Sequence, residues 1–360
     1  MVKINEDIKM YIYDNEIYQS DLKRAIDSVK SFEKIKSRSI MITGASGLIG
    51  SFLVDMFVYA NEKFDFQIKI YAIGRNMRRL KERFGCRLGL VCIEQDVNQV
   101  IDISYKADYV IHAASNAYPA AFNSDPVGTI LSNIMGTKNL LDFCHKCGAE
   151  RFMFVSSGEV YGIVEREIDT FGEDDYGYVD SLNVRSCYPS SKRAAETLCI
   201  SYTKQFGVET VIARPCHTFG ANVTSQDNRA NVQFIKNVLD GKDIVMKSKG
   251  EQIRSYCYIA DCASAILTVL LDGETAQAYN IVNPTEKITI LGFAQIVGEV
   301  SGKKVVFELA NDQEKKNETP IVKQVLDGRK LEQLGWEGKF SIEEGIEHTV
   351  LIQKMLLESA

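Results

Sequence analysis

Apolar residues in this chain gather in short runs, separated by longer stretches where they return every three or four positions. Ile40, Met41 and Ile42 make the first clear run, the pattern of a buried strand. From Leu48 onward, Leu53, Met56 and Phe57 fall at helical spacing. The alternation then repeats. Strands are expected at 68–73, 90–93, 109–114 and 152–156, with helical stretches between them, including one at 129–147. Repeated strand–helix units imply a parallel sheet covered on both faces, with ligands at the carboxyl ends of its strands. Ahead of this pattern, residues 1–38 carry apolar surface at Tyr11, Ile12, Tyr13, Ile17 and Tyr18. A helix is expected at 21–32. The segment is too short to bury a core of its own, so it is expected to pack on the main domain or on a partner subunit. The run 311–318 reads as a solvated polar loop.

Between the first strand and the first long helix lies Thr43-Gly44-Ala-Ser-Gly47-Leu-Ile-Gly50. Glycines there let the backbone approach a dinucleotide pyrophosphate, and free N–H groups at the helix start point at its charge. The spacing is Gly44-x-x-Gly47-x-x-Gly50, not G-x-G-x-x-G. The second strand ends in Ile73-Gly74-Arg75-Asn76, without the acidic residue that would hold the adenosine ribose hydroxyls of NAD. Arg75 can instead pair with the 2′-phosphate of NADP or stack on adenine, or remain a solvated arginine. Asp96 and Val97, after the third strand, are placed to meet the adenine edge.

Composition narrows the partners. With 360 residues the chain can bury a large core, and its net charge of -6 argues against nucleic acid or an anionic membrane surface. No apolar run reaches the length of a membrane span, and MVKINEDIKM lacks a signal peptide's apolar centre. Nine cysteines without an export signal read as reduced thiols in a cytoplasmic protein. Cys144 and Cys147 end a helical pattern with no second pair at zinc spacing, so they are expected to be helix thiols and no metal site is expected. His145 and His348 have no motif around them and are expected to be exposed.

The chemistry centres on Tyr188 and Lys192, four residues apart and so on one face of a helix. A phenol near pKa 10 is a poor base at neutral pH. A neighbouring ammonium and a positive nicotinamide ring would stabilise the phenolate, so that Tyr188 takes a proton from a sugar hydroxyl while hydride leaves the same carbon. Ser157, in Ser156-Ser-Gly-Glu-Val-Tyr-Gly162, can hydrogen-bond the substrate oxygen and share its proton with Tyr188.

These three motifs together resemble the extended short-chain dehydrogenase/reductase family, which holds the nucleotide-sugar epimerases, 4,6-dehydratases and decarboxylases. The likeness runs from residue 39 to about 350. It includes Asp96-Val97, His112-Ala-Ala-Ser115, Asn133-Ile-Met-Gly-Thr-Lys-Asn-Leu140, Ala213-Arg-Pro215 and Arg254-Ser-Tyr-Cys-Tyr-Ile-Ala-Asp261. The resemblance implies a Rossmann-type doubly wound sheet over 39–214 and 252–283, with a smaller substrate-binding lobe from 215–251 and 284–360. It implies tightly bound NADP or NAD, contacted by Gly44, Ser46, Gly47, Leu48, Ile49, Gly50, Arg75, Asn76, Asp96, Val97, Ala113, Ala114, Ser115, Asn133, Tyr188, Lys192 and Pro215. A nucleotide-diphosphate sugar would lie against Tyr118, Ser157, Glu159, His217 and Arg254, with Arg254 on the diphosphate. A homodimer through the helices near Asn133 and Tyr188 is a further implication, and His112 would be structural.

Within the family, the dehydratases place an Asp-Glu pair after the catalytic Ser or Thr. Here the pair is Gly158-Glu159, so the acid for water loss is missing. The blocks 185–198 and 112–119 resemble UDP-glucuronate decarboxylases, whose Glu matches Glu159, a base or carboxylate-orienting group. His217 in place of a usual Asn, and Pro189-Ser190-Ser191 in place of a more acidic spacer, depart from them. The expected reaction is transient oxidation at C4 followed by decarboxylation or epimerisation, in making precursors of surface polysaccharides or glycoconjugates. An NADPH-dependent 4-keto reductase, a 4,6-dehydratase and a non-catalytic sensor are the alternatives.

Overall fold

The computed structural model describes residues 11–164, 168–224, 226–309 and 322–359; the run 311–318 lies outside them. In chain order the strands are β1 (Ser39–Thr43), β2 (Lys69–Gly74), β3 (Leu90–Glu94), β4 (Tyr109–His112), β5 (Arg151–Val155), β6 (Thr210–Pro215), β7 (His217–Phe219), β8 (Ile244–Met246), β9 (Ile253–Tyr258) and β10 (Gln277–Ile281), then β11 (Lys287–Thr289), β12 (Val305–Phe307) and β13 (Lys323–Gln324). Seven of them form one parallel sheet in the order β10-β6-β5-β4-β1-β2-β3. The order reverses at β1, which pairs with β2 on one side and β4 on the other. Connections leave in opposite directions from that point, and a crevice opens beyond the strand ends.

The helices that matter here are α1 (Glu16–Asp27), α2 (Leu48–Phe64), α3 (Met77–Phe84), α4 (Pro119–Ser124), α5 (Pro126–Cys147), α6 (Cys187–Phe206), α7 (Ala230–Leu239) and α8 (Ile259–Asp272). The apolar run of β1 divides between the two faces, as strand alternation requires. Ile40 and Ile42 join Ile70, Ala72 and Ile111 in a core with α1, α2 and α8, while Met41 joins Tyr71, Ile73 and Val110 in a core with α5 and α6. Both faces are covered. This is why the strands read as continuous apolar runs.

The expected strands lie within two residues of those observed. The 129–147 helix begins earlier, at Pro126, where the Asp125 carboxylate caps it by accepting from Gly128 N at 3.0 Å. The helix expected at 21–32 is instead Glu16–Asp27, because Asn15 accepts from Tyr18 N at 3.1 Å and starts it sooner. Phe32–Ile35 is a separate 3-10 turn. Strand β9 also departs from expectation. It pairs with β7, β11 and β13 in a second sheet, so the chain returns to the main sheet only through α8 and β10.

The N-terminal segment packs on the main domain. Tyr18 is fully buried against Phe52 of α2, and its hydroxyl donates to Asp55 at 2.7 Å. Asp21, also buried, accepts from Tyr258 Oη at 2.7 Å and lies 2.9 Å from His348 Nδ1. His348 is therefore a half-buried partner of α1, not the exposed residue expected from its bare sequence context; His145 is exposed. No helix among the described residues is long and apolar enough to cross a membrane.

Candidate active site

The carboxyl ends of β1, β2, β4, β5 and β6 open into one cleft of about 600 Å³. Its floor at β1 is the glycine stretch. Gly44 has φ +67°, and a Cβ there would lie 2.7 Å from Ala113 O and Ala114 N. At Gly50 a Cβ would lie 2.3 Å from Gly44 O. The loop folds so closely on itself and on the chain after β4 that any side chain at either position collides with backbone. Gly47 is the N-cap of α2 and brings no side-chain acceptor, while Ser46, Leu48 and Ile49 line the cleft beside it. An uncapped first helical turn opening into a cavity is a phosphate site. These residues fit a dinucleotide pyrophosphate.

At the end of the cleft beyond β2 and β3, Arg75, Asn76, Asp96 and Val97 all reach the wall. Asn76 is occupied in capping α3, accepting from Arg79 N at 2.9 Å, and Asp96 accepts from Asn98 N at 2.9 Å. Arg75 is exposed, and the α3 turn places a second guanidinium, Arg79, on the same wall. Ala113, Ala114 and Ser115 line the cleft beyond β4, and Pro215 lines it at β6.

Asn133 does not reach the cleft. It is fully buried on α5, where its Nδ2 donates to Ser191 Oγ at 2.9 Å. Ser191 in turn donates to Cys187 O and Tyr188 O, so Asn133 is tied to the first turn of α6, and its Oδ1 has no hydrogen-bond partner among the described residues. His112 is likewise internal. Its Nδ1 lies 2.8 Å from Thr43 Oγ1, and burial holds its pKa down to about 3.

Helix α6 brings Tyr188 and Lys192 to the end of β5, where Ser157 and Glu159 also face the cleft. Tyr188 stacks on Phe122 of α4 with 4.8 Å between ring centres. Lys192 Nζ donates to Val155 O at 2.7 Å and lies 5.7 Å from the centre of the Tyr188 ring. Ser157 Oγ accepts from Glu159 N at 3.1 Å, which leaves its own proton to donate. Spacing alone predicts a phenol acidified by Lys192. In the protein, burial raises Tyr188 to about 12; the Ser157 hydrogen bond and the Arg229 charge draw it back, and Glu159 opposes them. Burial also pushes Lys192 down to about 7. Both groups are held in their neutral direction by a dry site.

The remaining wall comes from the second sheet and α7. Arg254 and Tyr256 alternate with Ser255 and Cys257 on β9, so both face the cleft. Arg254 is 2% exposed, and its Nη1 donates to Ile253 O and Val322 O. His217 packs 5.7 Å from Tyr256, its pKa pushed down to about 3 by burial and by Arg254 and Arg229. Tyr118 lies at the mouth, within 3.4 Å of Gln226. Several wall residues were not foreseen from sequence: Arg79, Arg185, Arg229, Asn231, Tyr256 and Gln324. Asn231 is 4% exposed, and its Nδ2 has no hydrogen-bond partner among the described residues, an amide free to meet a ligand. An arginine three residues before Tyr188 was the one legible signal among them.

Beneath the catalytic floor, Glu196 accepts from Ser156 Oγ at 2.5 Å and from two nitrogens of Arg214, so the Ala213-Arg-Pro215 motif ties β6 to α6. Cys144 and Cys147 close α5, and all nine cysteines are free thiols.

A model of the NAD dependent epimerase/dehydratase family matches residues 40–283. UDP-glucuronic acid decarboxylase 3 of Arabidopsis thaliana is 33% identical over 307 residues, 85% of this chain and 86% of that protein. UDP-glucuronic acid decarboxylase 1 of Danio rerio is 31% identical over 325 residues, 89% of this chain and 74% of the relative. Among solved structures, the UDP-glucose 4-epimerase of Thermus thermophilus in complex with NAD superposes with a TM-score of 0.73 at 24% identity, covering 87% of this chain and 98% of that one. Glycine cradle, buried Tyr188–Lys192 pair and matched sequence thus converge on one conclusion: the chain belongs to the NAD dependent epimerase/dehydratase family and uses a nicotinamide dinucleotide.

Proposed function

We propose that the protein decarboxylates a UDP-linked uronic acid through transient oxidation at C4. The observation that carries this is one cleft holding the glycine cradle, Ser157, Tyr188, Lys192 and Glu159, with Gly158 where a dehydration acid would stand. Identity to UDP-glucuronic acid decarboxylases above 30% over most of the chain supports it.

A nicotinamide dinucleotide held by the glycine loop and Lys192 would supply reversible hydride acceptance at C4. Tyr188 takes the O4 proton, with Ser157 donating to the same oxygen. Lys192 holds the nicotinamide ribose and offsets the negative charge on the phenolate. With a carbonyl at C4, the C5–C6 bond breaks, carbon dioxide leaves, and its electron pair stays on C5, delocalised into the carbonyl. Glu159 stands as the group that handles the proton returning to C5, and Tyr188 then gives its proton back to O4. Arg254 and Asn231 serve the diphosphate end. The dinucleotide stays bound through the cycle, and the protein works in the cytoplasm on precursors of surface polysaccharides or glycoconjugates. A homodimer through α5 and α6 fits the exposed apolar stripe of Val127, Leu131 and Met135.

A second reading is favoured by one observation, the pair Arg75 and Arg79 at the adenine end, which suits the 2′-phosphate of NADP and hence a 4-keto reductase consuming NADPH. Mass spectrometry of products from UDP-, GDP-, CDP- and dTDP-sugars separates the readings. Loss of carbon dioxide from UDP-glucuronate without added NAD(P)H supports decarboxylation; loss of water, an unchanged mass with inverted stereochemistry, or gain of two hydrogens with NADPH overturns it.

A further inference from the structure

We infer that Arg185 selects the substrate by receiving the carboxylate on sugar C5, an inference that rests on the decarboxylase reading. Arg185 sits in the 3-10 turn Val184–Ser186, two residues ahead of α6 and three ahead of Tyr188, and lines the cleft. Its turn is fixed by Asn183 Oδ1, which accepts from Arg185 N at 3.0 Å. Its guanidinium carbon lies 5.8 Å from the Phe122 ring, which itself stacks on Tyr188. The guanidinium is thus held against the ring on which Tyr188 stacks.

Three arginines face this part of the cleft, and they differ in how far their donors are used. Arg229 is forked onto Asp227, with Nε and Nη2 at 2.6–3.1 Å. Arg254 spends Nη1 on two main-chain carbonyls. Arg185 makes one long contact from Nη2 to Glu159 Oε1, at 3.4 Å, and both side chains keep about a quarter of their surface exposed, 27% and 25%. A guanidinium carries five N–H donors in a planar fork that matches a carboxylate. Among the described residues, Glu159 is the one hydrogen-bond partner of that fork, which leaves most of its donors for a ligand.

Substrate chemistry supplies the partner. The carboxylate on C5 is two bonds from C4, the carbon whose hydroxyl Tyr188 serves. A second carboxylate brought beside Glu159 would meet like charge unless a cation stood between them. Arg185 is that cation. It donates to the incoming carboxylate from the N–H groups that the long Glu159 contact leaves over, a charge-assisted pairing that a neutral hexose does not make. Preference for acid over neutral sugar then resides in this one side chain.

The test is titration calorimetry of the dinucleotide-loaded protein with UDP-glucuronate, UDP-glucose and UDP. The wild type should bind UDP-glucuronate more tightly than UDP-glucose. Arg185→Gln should weaken UDP-glucuronate roughly 10- to 100-fold, the scale of a lost charge-assisted pair, and leave UDP-glucose and UDP within about twofold. Arg185→Lys should fall between. The double variant Arg185→Gln/Glu159→Gln should stay weak for UDP-glucuronate, since the fork is still absent. Equal losses for all three ligands would assign Arg185 a structural role and overturn the proposal, as would an unchanged uronate affinity. Recovery in the double variant would overturn it too, by showing that Arg185 acts only by neutralising Glu159. A wild type that binds none of the UDP-sugars sinks the decarboxylase reading itself.

Discussion

The two ends of the cleft are built from different materials. The dinucleotide end is made of backbone: a glycine loop pressed against the chain after β4, and the open first turn of α2. The sugar end is made of side chains from β5, α6, β7, α7, β9 and β13, brought together from positions as far apart as Ser157 and Gln324. Backbone donors in a rigid turn recognise any pyrophosphate, whereas a set of separately mounted side chains can change one at a time. The first end therefore defines the family, and the second defines which sugar is handled. Gly158, His217 and Arg185 all line the second end, and the proposed function assigns them the choice of substrate.

That comparison predicts a graded response. Tyr188→Phe strikes the reaction and should lower kcat by about 10²- to 10⁴-fold, the range of a general acid–base group, while dinucleotide affinity measured by fluorescence quenching stays near wild type. Retained turnover would remove Tyr188 from the mechanism. Gly50→Ala acts at the other end, where its Cβ would meet Gly44 O at 2.3 Å. It should weaken dinucleotide binding and cost about 1–3 kcal/mol of stability, read as matched losses in affinity and Tm. If affinity holds, the loop is not the tight cradle described.

Smaller effects probe the edges. Arg75→Ser with Arg79→Ser should weaken NADPH about tenfold and leave NADH nearly unchanged, measured as the ratio of their Kd values. Equal changes in both would mean that neither arginine reads the 2′-phosphate. The smallest effect lies outside the cleft. The hydrogen bond to Asp21 raises the His348 pKa, so its contribution to stability is complete below the ordinary histidine value, about 6.5, and fades as pH climbs through the raised value. Tm measured from pH 5 to 9 should show His348→Gln less stable than wild type at the acid end, with the two curves converging at alkaline pH. A constant gap would mean that the imidazole contributes packing alone.

The sequence by itself determined the strand–helix alternation, the Gly44–Gly50 turn and the pairing of Tyr188 with Lys192. Each of these is local: the period of apolar residues, the tight turn and the four-residue helical step act within one short stretch of chain. Helix ends were legible less well, because Asn15 and Asp125 start helices through capping bonds that outweigh the apolar period.

Tertiary structure alone decided what depends on distant segments meeting. It tied Asn133 to Ser191 in α6, and moved β9 into the second sheet. It tied His348 to Asp21 across 327 positions of chain. It also added Arg229, Asn231, Tyr256 and Gln324 to the wall. Burial is likewise a property of the assembled molecule, so the direction of the Tyr188 and Lys192 shifts follows from the water excluded around them. The four-residue spacing set the pair side by side; the packed site set the direction in which each shifts.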